Sequence, residues 1–402
     1  MSARHAGRET AILVVAVVLG MSPWFSATVT APLMVQQWGA GDPLWLTLAV
    51  QLGFVAGSVI SAAFLLADRW RPRRLAAGSA LVAALATAAL VLPGIGMTHA
   101  LVCRLVVGMA LAGVYPPGIK IAAGWTLTRR GLAIGVLVAG TTLGSAVPHL
   151  LRLAVAPDDW RRLQLLAAAC AAVGAVVFAW RVTEGPHQAP SVPFDPRALG
   201  RVWRNRQVML ATGGYLGHMW ELYAMWSSIG LFFGAVASER GWPTGSAAAL
   251  SFLTIGAGGV GCVWAGLVAD RLGRAQTSIV AMAVSGACAL AIGPLMHGPA
   301  VVLVAVALVW GMSIVADSAQ FSAAVTEWSD RAYVGTSVTI QTALGFLLTV
   351  VTIRLVPGWS AAWGWEVAYM PLAIGPALGI VAMRRLARDE SSRRALTATG
   401  EG

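Results

Sequence analysis

The stretch GYLGHMWELYAMWSS, Gly214 to Ser228, places a histidine and a glutamate three residues apart inside an otherwise apolar run. At about 100° per residue, Tyr215, His218, Glu221, Leu222, Met225 and Trp226 share one helical face, while Leu216, Trp220, Tyr223 and Ala224 take the other. An imidazole one turn from a carboxylate can take up, pass on and release a proton. A carboxylate at bilayer depth costs ~2.5–3.5 kcal/mol and normally faces a cavity or a partner. Its bland reading is a fixed ion pair or a helix–helix hydrogen bond; its functional reading is a proton or solute path. His218 and Met225 together would also offer nitrogen and sulfur to a soft ion such as Cu(I). Met219, turned away from His218, does not complete that donor set.

Other apolar runs carry polar groups in register. Arg104 and Tyr115 share a face of the run 99–121, and Trp310, Ser313 and Asp317 share one of the run 300–321. Ser22 and Ser26 do so near the start of the chain, and Ser337 and Gln341 near its end. Arg104 has no acid beside it in sequence and therefore favours an anionic solute. Asp317 lies close to the end of its run, as a gate residue or a solvated one. Lys120 snorkels from a run end. Most tryptophans flank the runs, as interfacial belts require. Trp24, Trp220, Trp226 and Trp310 lie deeper, where they wall a cavity for a flat or apolar solute or simply pack.

These residues need elements that hold them in hydrocarbon. The chain has 402 residues, 57% hydrophobic and 11% charged, with a mean hydropathy of +0.73. Soluble domains carry about 25% charged residues. Breaking the chain at glycine, proline and charge clusters gives twelve apolar segments: 10–33, 44–66, 76–94, 99–121, 131–151, 163–181, 207–236, 245–267, 277–296, 300–321, 334–355 and 366–383. Most match or approach the ~20 residues that a membrane-crossing helix needs. The first imitates a signal peptide, but the spans that follow make it span 1.

The net charge of +11 does not mark a nucleic-acid protein. Of the 28 basic residues, 21 fall in the termini and in connectors on one side of the spans, five on the other, and Arg104 and Lys120 lie within spans. This skew sets both termini on the cytoplasmic side of a cell membrane, a bacterial-type inner membrane. No connector is long enough to build one contiguous basic face. The four cysteines are unpaired packing residues in sequence. GAGGVG, Gly256 to Gly261, lacks the strand that a dinucleotide fingerprint requires and reads as close helix packing. The one lysine is followed by Ile121, which excludes a Walker loop. No cofactor and no catalytic motif is expected, so the chain is no enzyme.

The long polar connector 182–206 splits the chain into halves 1–181 and 207–402 of six spans each. LLADRWRPRRL (65–75) follows span 2 and GLVADRLGR (266–274) follows span 8, with Asp68 and Asp270 separated by 202 residues. VGMALAGVY in span 4 echoes WGMSIVADS in span 10. Parallel six-span repeats are one architecture of secondary transporters. The two loops resemble the signature loop of the major facilitator superfamily. The second copy matches at Gly266, Ala269, Asp270, Arg271, Gly273 and Arg274. The first keeps Asp68, Arg69 and Arg73 but has Phe64 and Arg71 in place of glycines. Arg104 and Gly108 resemble the family's Arg-x-x-x-Gly pattern. Gly140, Gly144 and Pro148 are similar to the antiporter motif, with Pro148 displaced by four residues from Gly144. Spans 2 and 8 lack the arginine of the nitrate carriers. GHMWELYAMW and ADSAQFSA suggest a subfamily without implying a substrate.

The resemblance implies an all-α membrane protein of twelve transmembrane helices in two pseudo-symmetric six-helix bundles, with the loop acids setting conformational balance. Together the residues and the resemblance predict a monomeric secondary transporter. It moves a small organic solute, with an anion preferred, by proton-coupled alternating access. Its path residues are Glu221, His218, Arg104, Tyr115, Tyr215, Trp226, Met225, Trp310, Asp317, Gln341 and Ser26. The alternatives are a copper transporter, a drug or metabolite efflux antiporter, and a transporter-shaped sensor.

Overall fold

The computed structural model describes residues 3–39, 41–126, 130–187 and 194–399. Those residues form helices and short connectors without a strand. Eleven helical segments are long and apolar enough to cross a membrane: His5–Trp38, Leu44–Ala63, Pro72–Val91, Met97–Gly124, Gly131–Arg152, Trp160–Trp180, Ser246–Ala269, Arg274–Ile292, Ala300–Trp328, Val334–Trp363 and Trp365–Asp389. The helix Arg206–Arg240 makes the twelfth, in the seventh position. Its buried His218, Glu221 and Ser228 dilute the apolar run that contains them. In chain order these are spans 1 to 12, and most run a few residues past the predicted segments.

Spans 1, 4 and 10 are broken within their length, and span 12 near its start, where Trp365–Ala368 and the tighter turn Met370–Ala373 precede Ile374–Thr399. Span 1 divides into Ala3–Met21 and Ser26–Trp38, with Pro23 in the gap. Span 4 divides into Met97–Leu111 and Tyr115–Gly124, just ahead of Pro116 and Pro117. Span 10 divides at Asp317, between Ala300–Ala316 and Ser318–Trp328. The breaks in spans 4 and 10 fall inside the sequence pair VGMALAGVY and WGMSIVADS, so the repeat is one of shape as well as sequence.

Glycines set how closely the helices approach. A Cβ at Gly108 of span 4 would collide with the Val50 carbonyl of span 2, and one at Gly57 of span 2 would meet the Met109 carbonyl at 2.5 Å. Span 10 repeats this on span 8: a Cβ at Gly311 would collide with the Thr254 carbonyl, and one at Gly261 with the Met312 carbonyl. The GAGGVG run is therefore helix packing, as small residues allow. The halves meet chiefly where span 5 packs on span 8 and span 2 on span 11. A Cβ at Gly135 would stand 2.6 Å from the Cys262 carbonyl, and one at Gly266 would stand 2.8 Å from the Gly131 carbonyl.

The signature loops end spans 2 and 8 differently. Gly273 has φ +95°, a conformation that disfavours side chains, and separates two helices with one residue. In the first copy Arg71 is extended, Pro72 starts the next helix, and Leu65 takes the left-handed turn with φ +51°. Arg69 and Arg271 are exposed. Arg73 donates to the Val182 carbonyl at 3.4 Å, and its backbone N–H donates to Glu184. Arg274 reaches Glu327 at 3.3 Å and Gln320 at 3.2 Å. The side chains of Asp68 and Asp270 lie outside the described residues.

At the opposite end of the spans, Arg354 of span 11 pairs with Asp42 at 3.1 Å and lies over the Trp45 ring at 5.7 Å, joining the two halves. Nearby, the exposed His297 ring contacts Glu239 at 3.0 Å and Glu366 at 2.9 Å, one through each nitrogen. The hydrogen bond to Glu366, then the charge of Glu239, holds this imidazole above its usual range. A raised folded value means that its stabilisation is full below the unfolded value of ~6.5 and is lost as pH rises through the folded value. His297→Gln should therefore lower the melting temperature near pH 6 and leave it unchanged near pH 9. Equal melting of both proteins at pH 6 would remove this clasp from the account.

Candidate functional site

A cavity of about 540 Å³ lies between the halves. It runs from the arginine-rich end, where Arg274 and Glu327 line it, past Tyr115 and Tyr215, to Trp24, Phe54, Tyr223, Trp226 and Phe346. These last rings form a layer built from both halves. Phe54 and Phe346 stand 4.4 Å apart between centroids, Trp24 and Phe54 4.9 Å, and Trp24 and Tyr223 5.7 Å. Beyond that layer lies the Asp42–Arg354 pair. The cavity is thus directed to the arginine-rich end and sealed at the other.

Span 7 presents Tyr215, Met219, Leu222, Tyr223 and Trp226 to this cavity. His218, Glu221 and Met225 are buried but do not line it. The face read from the sequence therefore splits. Tyr215, Leu222 and Trp226 look into the cavity with Tyr223, which the helical wheel placed on the other side. The titratable residues sit on the adjoining flank, against spans 9 and 10. A 100° stripe straddles the boundary between two neighbouring environments, and the sequence does not say on which side each residue falls.

On that flank, Glu221 accepts from Trp310 Nε1 at 2.6 Å and from Ser285 Oγ at 2.9 Å. The carboxylate thereby ties span 7 to spans 9 and 10. His218 Nδ1 stands 2.8 Å from Asp317 Oδ1, with both side chains almost fully buried. Neither Asp317 Oδ1 nor His218 Nε2 has a hydrogen-bond partner. Phe321 covers the imidazole, with ring centroids 5.5 Å apart. Asp317 is 1% exposed, which excludes the solvated reading of this residue. It occupies the junction of the two helices of span 10.

Arg104 is fully buried and does not line the cavity. Its Nε donates to the Leu46 carbonyl at 3.2 Å, Nη1 to the Pro23 carbonyl at 2.8 Å, and Nη2 to the Trp24 carbonyl. Pro23 and Trp24 belong to the break in span 1, whose carbonyls lack the full helical ladder. Three backbone oxygens seat the guanidinium, and a rigid planar fork suits that work. Ser26 donates to the same Pro23 carbonyl at 3.0 Å. Gln341 is buried between span 11 and the second part of span 10, donating to the Phe321 carbonyl and accepting from Ser322, each at 3.4 Å. Ser285, Phe54 and Phe346 were not singled out from the sequence. A serine or phenylalanine in an apolar run gives no local sign of what it meets across the bundle.

The family model described as the Major Facilitator Superfamily matches residues 12–321. No curated protein matches the chain. Among solved structures, the fold is similar to that of the proton:xylose symporter XylE bound to 6-bromo-6-deoxy-D-glucose. The TM-score is 0.72 at 12% sequence identity, covering 96% of each chain. At that identity the likeness is one of fold.

Arg104→Lys should lose at least one of the three hydrogen bonds from the guanidinium, at a cost of about 1.5–3 kcal/mol. It should therefore lower the melting temperature in detergent while leaving solute affinity unchanged. A collapse of affinity with unchanged melting would make Arg104 a binding group.

Proposed function

The chain belongs to the Major Facilitator Superfamily, and from that premise we propose that it is a proton-coupled transporter of a small organic solute. In this reading the halves 1–181 and 207–402 rock about the central cavity by alternating access, joined by the linker 182–206. The observation that supports proton coupling is the buried trio of His218, Asp317 and Glu221 directly behind the cavity wall. Two carboxyl groups with a single imidazole between two moving elements hold a number of protons that depends on their surroundings.

The trio has a mechanical connection. Asp317 sits at the break in span 10, and its neighbours Val315 and Ser318 line the cavity. A proton delivered to Asp317 removes its attraction for His218 and frees span 7 from the break. A proton on Glu221 weakens its acceptance from Trp310 and Ser285, loosening spans 7, 9 and 10 together. Solute in the cavity touches Tyr215 and Leu222, which neighbour His218 and Glu221 along span 7. Solute and proton occupancy thus bias one shared element, which is what coupling requires.

Arg104 brings no charge to the cavity, so an anion preference no longer rests on it. For the copper reading, His218 and Met225 are buried and do not line the cavity, and among the described residues no group of three or more His, Cys, Asp or Glu side chains is arranged to hold a metal ion. The loop residues Asp68, Arg69, Arg73, Gly266, Asp270, Arg271, Gly273 and Arg274 are assigned to conformational balance. The protein is proposed to work as a monomer in a bacterial-type inner membrane, with the arginine-rich end cytoplasmic, because one chain contains the whole cavity.

The test uses proteoliposomes loaded with a pH-sensitive dye and a panel of labelled organic anions, neutral molecules, organic cations and copper. One solute should move with a dye signal, and each pH unit should support about tenfold accumulation per coupled proton. Glu221→Gln and Asp317→Asn should retain solute exchange but lose accumulation. If Glu221→Gln and Asp317→Asn both concentrate the solute as well as the unaltered protein does, proton coupling does not run through these acids.

A further inference from the structure

A second cavity, of about 410 Å³, lies near the outer ends of the spans and shares no lining residue with the central one. Trp226 faces the central cavity, and the next residue, Ser227, faces this one. Spans 1 and 5 wall it from one half, and spans 7 and 8 from the other. The hydroxyls of Ser227 and Ser251 donate to carbonyls of their own helices, Ala224 at 3.1 Å and Ala247 at 2.7 Å. Thr28 shares its hydroxyl with Thr47 at 2.8 Å. His149 of span 5 differs. It is 6% exposed, lines the cavity, and makes no hydrogen bond or ion pair among the described residues. Its ring nitrogens are not enclosed as those of Trp24 and Trp226 are, so the cavity reaches them. Gly230 of span 7 makes room for the imidazole, since a Cβ there would stand 3.2 Å from its Cε1.

Arg152, one turn further along span 5, also lines the cavity. Residues at this spacing share a helical face, so the two side chains belong to one wall. A guanidinium has five N–H donors. Arg152 uses its two terminal nitrogens to hold the connector, through the Ala156 carbonyl at 3.0 Å and the Pro157 carbonyl. Those contacts fix the group and leave it further donors. Even a neutral imidazole adds one N–H. No acidic side chain is among the described residues that line this cavity. Asp158, whose charge acts on Arg152, stands exposed in the connector. Val29, Pro32, Leu153 and Leu231 make the walls apolar, and the volume falls within the ~300–1,000 Å³ of small-molecule sites.

We propose that this outer cavity binds an organic anion, an acidic head group on an apolar body. The head lies between Arg152 and His149, and the body lies against Val29, Leu153 and Leu231. The occupant touches both halves at their outer ends. The site is separate from the solute cavity and does not depend on the proton-coupling reading.

Calorimetry on the full chain in phosphatidylcholine nanodiscs, with empty discs subtracted, tests this with 3-phenylpropanoate, 3-phenylpropan-1-ol and 3-phenylpropylammonium. The carboxylate should bind at least about tenfold more tightly than the alcohol, and the ammonium most weakly. Arg152→Gln should weaken carboxylate binding about tenfold and leave the alcohol within about twofold. His149→Phe keeps a ring, breaks no hydrogen bond within the protein, and should weaken the carboxylate roughly fivefold. Neither residue lines the central cavity, so these losses place the probe in the outer one. An alcohol that binds as tightly as the carboxylate, a carboxylate that does not bind, or unchanged carboxylate affinity in both variants overturns the proposal. The probe series and His149→Phe decide even if Arg152→Gln does not fold. Discs containing phosphatidylglycerol identify the source of the anion. Weaker probe binding there assigns the site to a lipid head group, and equal binding assigns it to an anion from the bathing liquid.

Discussion

In hydrocarbon no water completes a hydrogen bond, so every carbonyl and charge that leaves the helical ladder must be answered within the protein. The polar features of this chain follow from that demand. The break in span 1 exposes carbonyls of Pro23 and Trp24, and Arg104 answers them from span 4. Glu221 is admitted to the core because Trp310 and Ser285 supply donors from two other spans. Asp317 lies 2.8 Å from a histidine that is equally hidden. Remove any one partner and the remaining group bears the desolvation penalty alone.

The same demand separates two halves that otherwise share a plan. Spans 2 and 4 and spans 8 and 10 meet through corresponding glycines, and spans 4 and 10 break at corresponding places. In the first half the buried polar group is a permanent cation held by backbone oxygens. In the second half it is a set of groups that can change charge. The pseudo-symmetry gives both halves the shape needed to move against each other. The difference in chemistry gathers His218, Glu221 and Asp317 behind the cavity wall in the second half.

Helix number, the internal repeat, the packing role of GAGGVG and the unusual character of span 7 were all legible from residue types and spacing. These are local or periodic signals, and bilayer thickness makes them strong. The partners of the buried polar groups were not legible. Arg104 and the carbonyls it binds are about 60 to 80 residues apart, and Asp42 and Arg354 are 312 apart. Nothing in the neighbourhood of Arg104 distinguishes a cation that awaits a solute from one that mends a broken helix. The side of span 7 that meets the cavity was also hidden, since polar residues mark either a wet surface or a satisfied interior. Tyr223 and Phe346 belong to the aromatic layer only because distant elements bring them together.

The pair between Asp42 and Arg354 differs from the buried polar contacts because water reaches it. An exposed ion pair contributes ~0.2–1 kcal/mol and is weakened by salt. On an equilibrium between two cavity orientations, that is a factor of up to about five in population. The deep contacts are shielded from the medium and keep their strength in fresh or briny surroundings. The outer contact does not, so the liquid bathing that face becomes a thermodynamic input to the resting state. Rising salinity there would loosen the ion pair that joins the two halves at that face.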